Sequence, residues 1–219
     1  MIGFVNPILH PRLRSLDLLT VYPENFLDVI NLPSLEEWSM DMGFGSAVAA
    51  MQSFLTRSGC HLRVLNLDRL GYSSKNIESL LEQIPTLERL RLSSMWKYGD
   101  GDVPYDILTR IFWAVPSSRN IRRGNPTHEP FLPRLQVVEC TTDESFLSFS
   151  WDDIPRLYSR GHRRSVTLKA FATHSDMTDE TALRLLRLTE EGVDLEIGDL
   201  TESGDFLQNF RKRMCVEGV

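Results

Sequence analysis

The sequence predicts an α/β fold in which short strands and helices alternate along a repeated unit, within one domain over residues 1–219. The first observation is a six-residue phrase, with apolar residues at its first, fourth and sixth positions, that recurs along the chain. The second is that apolar residues between the phrases stand three and four positions apart, which is typical of one helix face. Strands that alternate with helices in this way favour a parallel sheet covered by helices.

The spacing of the phrases indicates the kind of repeat. Four good copies and one looser copy share the full pattern and begin at Leu13, Leu35, Leu62, Leu87 and Leu135. Two degenerate copies keep only the last two apolar positions, as Val166 with Leu168 and as Val193 with Leu195. Most neighbouring copies begin about 22 to 28 residues apart, within the period of leucine-rich repeats. The sequence therefore predicts an irregular leucine-rich-repeat solenoid, with a curved parallel sheet inside and helices outside.

The segments between the phrases are predicted to be helices. Three of them are recognised by an apolar face: Val48, Met51 and Leu55; Ile77, Leu80, Leu81 and Ile84; and Ile107, Leu108, Ile111, Phe112 and Val115. A fourth helix is expected from Thr178 or Asp179 to Gly192. Gly59, Pro85 and Pro116 end the first three of these patterns, as expected for residues that favour helix termination. A further C-terminal helix is expected after about residue 201.

Two departures from the pattern predict irregular repeats. The phrases at Leu87 and Leu135 are separated by about twice the usual period. An irregular insertion is therefore expected over about residues 93–134, with a mobile loop from Pro116 to Pro133. The ninth repeat position, where the consensus has Asn or Cys, holds Val21, Gly43, Leu70, Met95 and Asp143. No ladder of buried side-chain amides is expected along the turns.

Alternation along the strands defines a candidate binding surface. Side chains between the apolar positions point away from the helix layer, so they are expected to line the concave face. The residues expected to bind a protein on this face and its rim are Asp17, Glu37, Asp41, Asn66, Asp68, Arg89, Arg91, Trp96, Glu139, Thr167 and Lys169. Trp96 follows a predicted strand, where it could either bind a partner or cover the widened seam between repeats.

Several short segments resemble the repeats of fungal F-box proteins with leucine-rich repeats. The similar segments are Leu32-Pro33-Ser34-Leu35-Glu36-Glu37, Ile84-Pro85-Thr86-Leu87-Glu88-Arg89-Leu90, Phe131-Leu132-Pro133-Arg134-Leu135-Gln136, Phe54 to Leu62, and Leu188 to Leu195. The resemblance implies the substrate-recognition part of an F-box subunit of a cullin–RING ubiquitin ligase. In such proteins an N-terminal F-box docks on the ligase adaptor, and the repeats hold the target protein.

The F-box itself is not recognised in this sequence. The chain begins close to the first phrase, so it is expected to be a partial member that binds the adaptor only if an F-box lies upstream. The segment Val103–Phe112 resembles the opening of an F-box. It is interpreted as the outer helix of a repeat, because a polar loop and another phrase follow it. The alternative is a structural scaffold or partial gene product without independent activity.

Composition and charge exclude several classes of protein. Asp plus Glu is 30 and Lys plus Arg is 24, which gives a net charge of −6 and argues against binding to nucleic acid. No apolar run is long enough to span a membrane, so no membrane contact is expected. Three widely spaced cysteines without a Cys-x-x-Cys motif, together with the absence of a basic leader, favour a cytoplasmic or nuclear location.

No catalytic site is predicted, and the chain is not expected to be an enzyme. Cys60 and His61 are adjacent, but neighbouring residues in an extended segment point in opposite directions. The five histidines lack the spacing of metal ligands. No nucleotide-binding loop is present, so neither a cofactor nor a metal is expected.

Overall fold

The computed structural model describes residues 7–19, 23–42, 47–70, 74–94, 103–112, 131–142, 151–159, 166–172, 177–199 and 205–217. The strands in these ranges are β1 (Ile8–Leu9), β2 (Ser15–Leu18), β3 (Ile30–Asn31), β4 (Glu37–Asp41), β5 (Val64–Asp68), β6 (Arg89–Ser94), β7 (Val137–Thr142), β8 (Thr167–Ala172) and β9 (Leu195–Asp199). The helices are α1 (Glu24–Leu27), α2 (Ala47–Ser58), α3 (Ser74–Leu81), α4 (Val103–Phe112), α5 (Asp153–Ser159), α6 (Asp179–Glu190) and α7 (Phe206–Glu217).

The strands form a seven-stranded parallel sheet whose order follows the chain. The order is β2, β4, β5, β6, β7, β8 and β9, and every pair of neighbours is parallel. The short strands β1 and β3 pair separately, also in parallel. The predicted α/β class and the parallel pairing of successive phrases are therefore confirmed.

The fourth position of the phrase forms one row across the sheet. In the hydrogen-bonded register Leu16, Trp38, Leu65, Leu90 and Val138 lie side by side. These side chains are buried, as the sixth-position residues of the inner strands are. The recurring phrase is therefore the buried face of a sheet in which each strand repeats the position of the one before.

The last two phrases begin two residues later than the sequence suggests. Leu168 rather than Val166 lies beside Val138, and Leu195 lies beside Leu168. Val166 and Val193 are buried just ahead of their strands. A shift of two residues keeps every side chain on its face because strands alternate with a period of two. The face on which each side chain of β8 and β9 lies was therefore predicted correctly, whereas the register of these two strands with their neighbours was not.

The helices pack in chain order over the buried face of the sheet. Contacts join α1 to α2 and each later helix to the next, through α7. The predicted apolar faces are buried, as Ile77, Leu80 and Leu81 show on α3. Between the layers the Trp38 ring meets the Phe54 ring edge-on, with 5.1 Å between ring centroids. A single core therefore joins the two layers.

A β-turn precedes three of the strands. In Leu32-Pro33-Ser34-Leu35 the N–H of Leu35 donates to the carbonyl of Leu32 over 3.2 Å. Equivalent bonds close the turns of Ile84–Leu87, at 3.2 Å, and of Leu132–Leu135, at 3.1 Å. Proline stands at the second position of each turn, where its fixed φ is favourable. Three of the segments that resemble the family therefore contain a recurring β-turn that leads into a strand.

The segment from Phe54 to Leu62 links a helix to the next strand and also closes the preceding repeat. The Arg57 guanidinium donates to the carbonyls of Leu27 and Ile30. The Ser58 hydroxyl accepts a hydrogen bond from the buried N–H of Leu32 over 3.2 Å. Gly59 adopts φ +59° just after α2, which is the left-handed conformation that ends many helices.

Part of the segment expected to be an irregular insertion packs like the rest of the chain. Helix α4 lies between α3 and α5, with Ile107, Leu108 and Ile111 buried. Arg110 pairs with Glu78 and Glu82 of α3, and its guanidinium lies 4.6 Å from the centre of the Phe131 ring. Phe131 and Leu132, placed in a mobile loop by the sequence, are thus packed against the helix layer. Val115 and residues 113–130 lie outside the described residues.

The two ends of the sheet differ. Leu13 begins the first phrase and was expected to be buried, but it is 40% exposed because no strand lies beyond β2 among the described residues. At the other end α7 contacts β9, with Leu207 and Phe210 buried. Of the ninth-position residues, Leu70 is buried; Val21, Gly43, Met95 and Asp143 lie outside the described residues.

Candidate protein-binding surface

One face of the sheet is directed away from the helices, and it is called the open face below. It carries the residues that alternate with the buried positions of each strand. Register pairing arranges them in rows. The first row is Ser15, Glu37, Val64, Arg89, Val137 and Thr167, and the second row is Asp17, Ser39, Asn66, Arg91, Glu139, Lys169 and Glu196. Since strands lie about 4.8 Å apart, the second row extends for about 29 Å.

The structure brings the predicted binding residues together on this open face. Glu37, Arg89 and Thr167 lie in the first row, and Asp17, Asn66, Arg91, Glu139 and Lys169 lie in the second. Asp41 and Asp68 lie side by side at the ends of β4 and β5. Trp96 lies outside the described residues. A surface inferred from alternation alone is therefore continuous across the sheet.

Several of these residues already bind one another. Nε of Arg91 lies 3.1 Å from Oε1 of Glu139, and the amide of Asn66 donates to the Ser39 hydroxyl over 2.9 Å. Other pairs join adjacent repeats in the same way: Lys169 with Glu196, Thr167 with Asp194, and Asp41 with Arg69. Exposed ion pairs of this kind contribute about 0.2 to 1 kcal/mol each. They also occupy groups that a partner could otherwise use.

Other charges on the open face form no such pair. Asp17, Glu37, Asp68 and Arg89 have neither a hydrogen bond nor an ion pair from their side chains to another described residue. Asp17, Glu37 and Arg89 are exposed, and Asp68 is partly buried. Their charged groups are therefore available to a molecule that approaches the sheet.

Sequence reasoning missed two features of this surface, at Arg69 and at Phe171, whereas Val64 and Val137 lie on the face where alternation placed them. Arg69, directly after β5, adopts φ +56° and pairs with Asp41, and no sequence signal predicts that conformation. Val64 lies between Glu37 and Arg89 in the first row, Val137 lies between Arg89 and Thr167, and both valines are partly buried. Phe171 stands beside Gly198, whose lack of a side chain leaves the ring without cover from that strand. The alternation that identified the charged residues also points to these apolar ones.

Two ion pairs join residues that directly precede neighbouring strands, at the edge of the sheet where the chain enters the strands. Arg63 lies 2.7 Å from Glu88, and Arg14 lies 3.7 Å from Glu36. The hydrogen bond from Arg63 lowers the pKa of the Glu88 carboxyl and raises that of Arg63. The carbonyls of Arg14, Glu36, Arg63 and Glu88 each accept two backbone N–H groups from the next repeat. This edge holds neighbouring repeats in register.

The cysteines and the buried tyrosine are poorly suited to chemistry in water. Burial raises the pKa of the Cys140 thiol to about 12, and it also raises the pKa of Cys60. The pKa of Tyr158 is raised by burial and by the charge of Asp194. Cys60 is partly buried and its neighbour His61 is exposed. No group of three His, Cys, Asp or Glu side chains suited to a metal ion occurs in the described part of the chain.

Within the same described ranges, no helix combines the length and apolar character needed to cross a membrane. No protein-family model matches the sequence, and no curated protein is similar enough to count as a match. The open face of the parallel sheet, with its paired and unpaired charges, is therefore the feature from which a function can be inferred.

Proposed function

We propose that the chain is a leucine-rich-repeat solenoid and that its open face is the concave surface. Three observations support this reading: strands that follow chain order, phrases whose fourth positions align, and the β-turn that recurs before β4, β6 and β7. Each repeat buries its apolar residues only when a neighbour stacks on it. The repeats would therefore act as one rigid platform.

The proposed function is non-enzymatic binding of a protein. The observation that carries it is the open face, where ten predicted binding residues form a continuous surface and four of them keep unpaired charges. A surface about 29 Å long can contact a folded protein or an extended segment. Its unpaired carboxylates disfavour contact with phosphate groups, in agreement with the expected absence of nucleic acid binding.

The family resemblance gives this binding a specific role. We propose that the repeats are the substrate-recognition part of an F-box subunit of a cullin–RING ubiquitin ligase. The resembling segments have definite structural functions in this chain, since they form the entry turns and the closure by Arg57 and Ser58. A protein target on the open face would be presented to the ligase, and the adaptor would bind an upstream F-box.

The binding proposal is tested by blocking the open face. Asn66 lies inside the second row, between Ser39 and Arg91, so Asn66→Arg should obstruct any partner there. The full-length protein would be tagged, captured from its own cells after cross-linking, and analysed by mass spectrometry. Partners held by the wild type should be lost from Asn66→Arg. The matched variant Ser53→Arg places the same side chain on the exposed side of α2 and should retain them.

Two outcomes would contradict the proposal. Partners that survive Asn66→Arg do not use the open face, and their retention would refute protein binding at this surface. The ligase role is tested separately in the same capture, because the adaptor should be recovered with the full-length protein. If an intact upstream F-box is present and no adaptor is recovered, the role in a ubiquitin ligase is wrong.

A second candidate function is a structural scaffold or partial gene product without independent activity. The exposure of Ile8, Leu9 and Leu13 favours it, because a solenoid end without a polar cap exposes core residues. Expression of residues 1–219 alone distinguishes the two. A monomer with a cooperative unfolding transition favours the binding module, whereas aggregation favours the scaffold.

A further inference from the structure

The first row of the open face contains a strip in which charged and apolar residues alternate across four adjacent strands. The strip is Glu37 of β4, Val64 of β5, Arg89 of β6 and Val137 of β7, which lie side by side in register. Glu37 and Arg89 are exposed, while Val64 and Val137 are partly buried. We call this set the first-row strip.

The two charges of the first-row strip do not neutralise each other. Val64 lies between their strands, so their backbones are about 10 Å apart, and no ion pair joins the two side chains. Neither side chain forms a hydrogen bond or an ion pair with another described residue, and the Glu37 charge acts on Arg63 only at longer range, where it helps to raise the Arg63 pKa. Asp17, which also forms no ion pair with another described residue, lies on the neighbouring strand β2, two residues further along, so the Glu37 end carries further negative charge.

The second row, only two residues further along each strand, shows the opposite behaviour. There Arg91 pairs with Glu139 and Lys169 pairs with Glu196. A ligand that bound these groups would first have to break an existing ion pair. A ligand on the first-row strip gains two charge contacts without that loss, and it covers the valine side chains at the same time.

We infer that the first-row strip is the docking site for an extended polypeptide segment that crosses the strands. The segment carries a basic side chain over Glu37 and an acidic side chain over Arg89, about 10 Å apart, with apolar residues between them near Val64. In the extended polyproline II conformation, with three residues per turn and a rise of about 3.1 Å, side chains three positions apart lie on the same side and span about 9 Å. This inference rests on the proposed function, for which it specifies the part of the surface and the chemistry of the partner.

A short peptide serves as the probe. The N-acetylated, C-amidated peptide Gly-Arg-Leu-Leu-Glu-Gly places the two charges three residues apart. It would be titrated into isotope-labelled residues 1–219 and followed by amide chemical shifts. The shifts should centre on Glu37, Val64, Arg89 and Val137. A peptide with arginine in place of its glutamate should bind at least threefold more weakly, because Arg89 repels it.

Two double variants with equal net charge separate the first-row strip from charges elsewhere on the protein. Glu37→Gln with Arg89→Gln removes the unpaired charges of the first-row strip and should weaken the peptide at least tenfold. Glu180→Gln with Arg184→Gln removes the same two charge types from an exposed ion pair on α6, outside the open face, and should change the affinity less than twofold. Thermal unfolding of both variants would establish that each is folded.

The inference fails if the two double variants weaken binding equally, if the shifts lie on the helices, or if millimolar peptide causes no shifts. Any of these results leaves the proposed function standing when Asn66→Arg still abolishes capture of a protein partner. Loss of the proposed function would instead appear as capture that is unaffected by Asn66→Arg.

Discussion

The phrase before the first strand of the large sheet and the phrases of the inner strands all begin with leucine, but these leucines differ in burial. Leu35, Leu62 and Leu87 begin their phrases fully buried, whereas Leu13 begins its phrase 40% exposed. Each inner repeat has a neighbour on both sides, and the first repeat has one on only one side among the described residues. The comparison teaches that the phrase specifies a position in the repeat, while burial depends on the neighbouring repeat.

The largest expected effect is on the stability of an inner repeat. Leu65 is fully buried between β4 and β6, so Leu65→Ala should lower the free energy of unfolding by about 2 to 5 kcal/mol. The same substitution at the edge, Leu13→Ala, should lower it by less than about 1 kcal/mol, since much of that side chain remains in water. Urea unfolding of both variants measures the difference, and equal losses would show that the first repeat is stacked as tightly as the inner ones.

A smaller effect is expected from the link between the first two repeats. Ser58→Ala leaves the buried N–H of Leu32 without an acceptor and should cost about 1 to 3 kcal/mol of unfolding free energy. Thr56→Ala is a suitable control because its exposed hydroxyl bonds only to Gln52 of the same helix. Its cost should remain within about 0.5 kcal/mol. A Ser58→Ala effect no larger than the control would mean that this bond does not join the repeats.

A further comparison concerns the C-terminal end of the sheet. Thr178 caps α6, and its hydroxyl accepts a hydrogen bond from the N–H of Thr181 over 3.2 Å. Thr178→Ala should therefore destabilise the chain by about 1 kcal/mol. Thr189→Ala, which removes a hydroxyl near the other end of the same helix, should cost less than about 0.5 kcal/mol. Chemical unfolding tests the order, and a reversed order would contradict the role of Thr178 as the cap.

The smallest effect is expected on the pKa of Glu88, at the edge of the sheet where the chain enters the inner strands. The Glu88 pKa is lowered by its hydrogen bond with Arg63, so Arg63→Met should raise it toward the ordinary glutamate value. Because the folded pKa is depressed, this stabilisation is present above the unfolded pKa and is lost as pH falls through the folded pKa. Carboxyl NMR titration measures the change. Arg134→Met should raise the Glu88 pKa less, since Arg134 acts only through its charge.

Sequence alternation located the open face but not the state of its charges. It placed Arg89 and Arg91 on one face because they are two residues apart in one strand. It could not show that Glu139 neutralises Arg91 while Arg89 forms no ion pair within the described part of the chain, because that depends on which strand lies beside β6 and in which register. The positive φ of Arg69 was likewise beyond sequence reasoning, since only glycine signals that conformation in advance.

Periodicity in the sequence was enough to predict the parallel α/β class, the positions of most helices and strands, and the face on which each strand residue lies. These features are local, because the order of apolar and polar residues along one segment specifies them. The register of β8 and β9, the exposure of Leu13 and the pairing of charges across strands depend on contacts between segments that are distant in sequence. Each of these depends on a second strand or helix, and a two-residue shift leaves the alternation of a single strand unchanged.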